Sequence, residues 1–397
     1  MIKLYKYLSL IVFAVFIFAG CNEEANPGLD DLITPSLVTP EIIAVTPDED
    51  VLGGVTELII QGKNLPKVID GNSAVLFNGK KGTIIETSES QIKVIPPVVI
   101  SDSVEVRVQK FKSEFLSNIF YLKIMPAVEE YYPFDLSNGE SPYAITIDNQ
   151  ENLYVILTGN GTKKIDTQGN LTDFAPHGSA APFFISMAIA SDNAIYGVRG
   201  GVPGIYRISE GVGPAAFVAS SQGIKDNVSC ITFDKTRNII WAGGNTGNVY
   251  IVTLDKNIKK YNVSGWVRSL KVINNNLFLA TTFESKELIW RMPIVSADSL
   301  GDAELYFDFT TVTGTNLKIV DFIIAEDGDL FIGTSALQDP LYVVHPDKSF
   351  GIFYPGLINS TPYSMVWGNG KFSYFSNVVD LQNKTVLRVG MQKNGAR

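Results

Sequence analysis

The sequence is poor in the residues that most often carry chemistry. It has two cysteines, Cys21 and Cys230, and two histidines, His177 and His345. Two thiols cannot build a disulfide framework, and this handful of soft ligands offers no zinc-site spacing. Charged residues make up 18%, against about 25% in an ordinary soluble domain. The cations are also the minority, 32 Lys and Arg against 41 Asp and Glu, a net charge of −9. An acidic chain repels phosphate backbones, so nucleic acid is excluded as the expected partner. Long apolar runs are scarce too. The stretch Leu8–Phe18 covers about 11 residues, too few to cross about 30 Å of hydrocarbon as a helix. The 34 glycines follow no period of three, which excludes a collagen-like chain.

What is present is apolar and regularly punctuated. Hydrophobic residues are 45% of 397, enough for packed cores, and the length suggests two to three domains at about 150 residues each. The first twenty residues read as an address: Lys3 and Lys6, the apolar run, then Ala19-Gly20 before Cys21. Phe18-Ala19-Gly20-Cys21 resembles a bacterial lipobox, with Phe18 where leucine is usual. The resemblance implies a signal peptide over 1–20 and acylation of Cys21, hence a lipid bilayer as partner. Asn22-Glu23-Glu24 resembles the surface-export signal of Bacteroides-type lipoproteins, which implies an outer-membrane protein exposed at the cell surface. Residues 21–39 are small, polar and Pro-containing, and read as a tether.

Over 40–125 short β-branched runs alternate with Gly, Pro and Asn. Val104-Glu105-Val106-Arg107-Val108 alternates strictly, as a strand with one buried face should. Asn78-Gly79 calls for a type I′ hairpin, since both residues tolerate positive φ. Six or seven such strands suggest an immunoglobulin-like sandwich. Pro40, Ile43, Pro47, Gly62-Lys63-Asn64-Leu65, Val75-Leu76-Phe77-Asn78-Gly79 and Pro96-Pro97 resemble the IPT/TIG family, whose role in surface lipoproteins is that of a spacer.

Residues 128–397 repeat. Units of about 40–46 residues recur six times, each with an apolar strand, a polar turn and further strands. First strands include Ala144–Asp148, Cys230–Asp234 and Ser364–Trp367, each leading into a second such as Asn152-Leu153-Tyr154. Four strands per unit and six units predict a six-bladed β-propeller. The sixth unit ends at its third strand, while Glu130–Asp135 precedes the first unit with no partner. That segment is expected to complete the sixth blade. The Ile-x-x-Asp turn into Asn-Leu-Tyr resembles NHL-type propellers and, more loosely, gluconolactonase-like ones. An IPT/TIG domain with such a propeller behind a lipobox resembles surface lipoproteins of Bacteroides-type polysaccharide-utilisation systems, which implies glycan capture.

Catalytic signals are thin. No Gly-x-Ser-x-Gly elbow occurs, and neither histidine lies beside a nucleophile motif. Cys230 sits in an apolar strand, where a thiol packs as a small hydrophobe. Asp148 and Asp234 follow first strands and are expected to fix turns. Counting back from the inner strands places Tyr143, Ser186, Ser229, Arg268, Val320 and Tyr363 at one mouth of the channel. That set does not suit a hard cation, so no catalytic residue, metal or cofactor is assigned. It does suit a sugar, which offers C–H faces to aromatic rings and hydroxyls to polar groups. The expected ligand-binding residues are Tyr143, Phe184, Trp266, Arg268 and Tyr363. Two alternatives to an extracellular glycan ligand stand: an NHL- or gluconolactonase-like hydrolase or lyase, and a scaffold within an envelope protein complex.

Overall fold

A computed structural model describes residues 36–68, 71–178, 183–314, 316–378 and 384–396. Cys21 and the segment before it lie outside the described residues. The chain divides into two compact units, one holding Glu57–Lys123 with the residues up to Glu49, the other holding Ile124–Arg397 with Asp50–Thr56. No helix among the described residues is long and apolar enough to cross a membrane.

The first unit is the immunoglobulin-like sandwich. One sheet runs Glu41–Thr46, Leu58–Lys63, Gln91–Ile95, Thr83–Thr87; the other contains Phe120–Met125, Ser101–Gln109, Ala74–Phe77 and Lys80–Lys81. Alternation works as the sequence pattern requires: Val104, Val106 and Val108 are fully buried, as are Leu58, Ile60, Ile92 and Val94 facing them. Asn78 and Gly79 take φ of 46° and 79° and close the hairpin in which Phe77 pairs with Lys80.

The second unit is a six-bladed β-propeller. From the inside outward, blade 1 is Ser141–Ile147, Leu153–Thr158, Gly161–Ile165 and Leu171–Ala175; blade 2 is Phe184–Ile189, Ile195–Arg199, Val202–Ser209 and Val212–Ala219. Blade 3 is Val228–Asp234, Ile239–Gly244, Asn248–Thr253 and Ile258–Asn262; blade 4 is Trp266–Ile273, Asn276–Phe283, Lys286–Ser296 and Glu304–Asp308. Blade 5 is Ile319–Ile324, Leu330–Thr334, Leu341–Val344 and Phe350–Ile352. Blade 6 takes Thr361–Trp367, Phe372–Val378 and Lys384–Gly390 from the C-terminal end and its rim strand, Val128–Tyr132, from the other. The closing ladder pairs Val128 with Val389, Glu129 with Arg388 and Glu130 with Leu387. Closure covers the outer edge of Lys384–Gly390, which would otherwise be bare and able to template aggregation.

The core is not one ball but six wedges, one between each pair of neighbouring blades. Second strands are buried over most of their length, and throughout it in Ile239–Gly244 and Leu330–Thr334, because both of their faces press on a neighbouring blade. The aspartates that end inner strands work as expected. Asp148 accepts from the Gln150 and Asn152 backbones at 2.9 Å, from Asn152 Nδ2 at 2.8 Å and from the Tyr154 hydroxyl at 3.1 Å. Asp234 does the same for Thr236 and Arg237 at 3.0 Å.

Candidate functional site

The inner strands line a channel, and each carries a β-bulge at the same place. The pairing skips between Pro142 and Ile145, Phe184 and Ser186, Val228 and Cys230, Val267 and Ser269, Ile319 and Asp321, and Pro362 and Ser364. A bulge sets two residues against one and re-aims a side chain. The ring of bulge residues is therefore Tyr143, Ile185, Ser229, Arg268, Val320 and Tyr363. In blade 2 this corrects the expected Ser186 by one residue, because the extra residue there is Ile185.

In four blades the residue after the bulge stitches the ring. Inner strands are edge strands on their channel side, so their backbone groups need other partners. The Ser364 hydroxyl accepts from Ile145 N at 3.4 Å, Ser186 accepts from Ile231 N at 3.2 Å, and Asp321 accepts from Met365 N at 2.7 Å. Ser269 donates to Asp321 at 2.5 Å, and Lys271 approaches the same carboxylate at 3.1 Å. Lys271 borders both cavities of the channel, one of about 330 Å³ at the bulge end and one of about 780 Å³ at the other. Charged residues inside otherwise apolar strands were the available signal for this pair, and sequence reasoning passed over it.

The smaller cavity holds most of the expected site. Trp266, Arg268 and Tyr363 border it, together with Ile185, Ser229, Lys318, Val320 and Asp321. The Arg268 guanidinium lies 3.5 Å over the Trp266 ring, and its Nε donates to Thr282 Oγ1 at 2.9 Å. Trp266 Nε1 donates to the Ser229 hydroxyl at 3.3 Å. On the opposite wall Tyr143 meets Tyr363 edge-on at 5.7 Å between ring centres. Burial, with Tyr143 adding to it, pushes the Tyr363 phenol up to about 12, so it is a hydroxyl donor at neutral pH. Lys384, itself buried, sits 3.3 Å over the Tyr143 ring.

Phe184 is a correction. It is fully buried in the wedge between blades 1 and 2, over Gly197, where a Cβ would come within 2.7 Å of its ring. The aromatic that reaches solvent is Phe183, 46% exposed and 4.6 Å from Tyr143. The strand begins at Phe184, and its first side chain points between the blades rather than to the channel. Tyr143 and Trp266 each also have a ring face covered by a cation, so fewer free stacking faces remain than the sequence promised.

Carboxylates near the mouth are spoken for. Glu287 is fully buried and accepts from Thr282 Oγ1 at 2.8 Å, Ile319 N at 3.0 Å and Lys318 at 3.1 Å. Asp321 also accepts from Phe322 N at 2.9 Å. Cys230 packs in the core, its thiol directed at the Gly243 carbonyl at 3.4 Å, and burial pushes it up to about 12. His177 contacts the Gly178 carbonyl at 2.8 Å in a loop, and His345 contacts Asp329 at 2.8 Å away from the channel mouth. No group of three or more His, Cys, Asp or Glu that could hold a metal ion occurs among the described residues.

Residues 40–119 match the IPT/TIG domain. No curated protein matches the chain. A candidate phosphatase from Bacteroides thetaiotaomicron superposes with a TM-score of 0.54 at 10% identity, covering 91% of this chain and 98% of its own. A candidate gluconolactonase gives 0.52 at 12%, covering 68% and 93%. An auxiliary nutrient binding protein from Bacteroides thetaiotaomicron gives 0.50 at 11%, covering 89% and 98%. At such identities the likeness is one of fold. The chain therefore holds a region that matches the IPT/TIG domain, followed by a six-bladed β-propeller.

Proposed function

We propose that the protein captures an extracellular polysaccharide at the bulge-end mouth of its propeller, without transforming it. The supporting observation is the mouth itself: Trp266 with Arg268 and Tyr363 around a cavity of about 330 Å³, with Tyr143 packed against Tyr363 and Phe183 against Tyr143. Rings and fixed donors around a shallow cavity match the alternating C–H and hydroxyl surface of a sugar. A similar fold in an auxiliary nutrient binding protein supports the same reading. In this reading the lipobox cysteine, Cys21, anchors the chain in the outer membrane with its propeller at the cell surface, and the IPT/TIG domain is a spacer. A hydrolase would require a carboxylate or imidazole with open valences at the mouth, and Glu287 and Asp321 are both committed.

The test is native electrophoresis of the protein through gels containing a panel of polysaccharides. At least one polymer should retard it, and Trp266→Ala with Tyr363→Ala should restore free migration while circular dichroism stays unchanged. Unchanged migration across the panel would replace this reading with the protein scaffold. Anchoring is read separately: Cys21→Ala should move the protein from the membrane to the soluble fraction, and retention in the membrane would refute acylation there.

A further inference from the structure

Four arginines of this propeller are neutralised by the chain itself. Arg207 is held by Asp192 at 2.9 Å, Arg237 by Asp234 at 3.0 Å, Arg291 by Glu304 at 2.5 Å and Arg388 by Glu129 at 2.7 Å. Arg268 differs. Among the described residues no carboxylate lies within ion-pair distance of it, and its hydrogen-bond partner is a neutral threonine. Glu287, the nearest acid acting on it, is spent on Thr282, Ile319 and Lys318. The guanidinium is half-buried and its plane is fixed against Trp266, so burial pushes it below its ordinary value, with Glu287 opposing only in part.

A desolvated cation without a counter-ion is costly, and proteins retain one where a ligand supplies the charge. Nε and one flat face are occupied by Thr282 and Trp266, and among the described residues the two terminal nitrogens of the fork, on a side chain that lines the cavity, have no hydrogen-bond or ion-pair partner. That fork matches the two oxygens of a carboxylate or the paired oxygens of a sulfate. The other cations of the mouth are already matched within the chain. Lys271 is paired with Asp321, and Lys318 with Glu287. With both lysines so paired, Arg268 is, among the described residues, the one cation of the cavity lining left in excess, in a chain that is −9 overall.

Building on the capture reading above, we infer that the polysaccharide is acidic and that Arg268 is the receptor for its carboxylate or sulfate group. A uronic-acid residue would lay its ring against the rim aromatics and its oxyanion on the Arg268 fork. A neutral sugar leaves the fork unsatisfied and binds more weakly.

The experiment uses the full chain with four probes: polygalacturonate, its fully methyl-esterified form, dextran sulfate and dextran. Polygalacturonate or dextran sulfate should retard the protein, and because the first carries only carboxylate and the second only sulfate, the arm that does so tells carboxylate from sulfate. The methyl ester and dextran should bind at least about tenfold more weakly. Arg268→Gln should lose the acidic ligand, and Arg268→Lys should recover part of it, since the charge returns without the fork. A measurement without substitution guards against misfolding. Phenylglyoxal should modify Arg268, read on its peptide by mass spectrometry, and the bound acidic polymer should protect it while dextran does not. Equal or tighter binding of dextran or the ester, or acidic binding unaltered in Arg268→Gln, overturns the inference and leaves glycan capture standing. Failure of all four probes, together with every neutral polymer of the panel, removes both.

Discussion

Phe183 and Phe184 are neighbours in the chain with opposite fates, and the pair shows what one step of backbone decides. Phe184 fills the wedge between blades 1 and 2 with its ring over Gly197, whereas Phe183 stands in solvent against Tyr143. Phe184→Ala should therefore cost about 3–5 kcal/mol of stability, read as a fall in the urea midpoint, with little change in affinity for whatever the mouth binds. Phe183→Ala should do the reverse. A destabilised Phe183→Ala or a binding-deficient but fully stable Phe184→Ala would show the two to be exchanged. Asp321 makes the same point for charge. It lies in an apolar strand, so the sequence marks it as odd, but its partners Ser269, Lys271 and Met365 come from the two flanking blades. No spacing in the chain announces them.

Strands were legible because their period is short. Apolar alternation and turn residues located the inner and second strands of every blade, and the Asp148 and Asp234 turns followed from side-chain chemistry acting over a few residues. The bulges were not legible. A bulge depends on how an inner strand's free edge meets the next blade, and nothing local separates Ile185 from Ser186. The most consequential element is the rim strand. Val128–Tyr132 satisfies the outer edge of Lys384–Gly390, and Tyr131 packs edge-on against Tyr374 at 4.8 Å. Its Glu129 also pairs with Arg388 at 2.7 Å. Deleting residues 128–132 should expose that edge, and the expected result is a broadened, non-cooperative melt with soluble aggregates in size-exclusion chromatography. A sharp melt of a monomer after the deletion would mean that the ring does not depend on this closure.

Acidity belongs to the whole molecule, since many scattered carboxylates answer together. Asn170, through its side chain and backbone, holds Asp166 below its ordinary value. Burial pushes Asp192, Asp226 and Asp327 up, but Arg207, the Tyr250 and Asn248 groups, and Lys393 respectively bring them down on balance. Depressed folded-state values mean stability that is complete above the unfolded value of about 3.9 and is lost as pH falls through the lower folded values. The urea midpoint should hold steady from pH 7 to about 5 and drop below about 4. Asp226→Asn should lower it at pH 7 and make the acid decline shallower; an equally steep decline would remove Asp226 from the set. The sequence alone determined the all-β class and the sixfold repeat, because strand periodicity and turn chemistry rest on residues close in the chain. Only the tertiary structure decided which side chains meet at the channel. Residues as far apart as Tyr143 and Tyr363 become neighbours when the ring closes, and that closure is a property of all six blades at once.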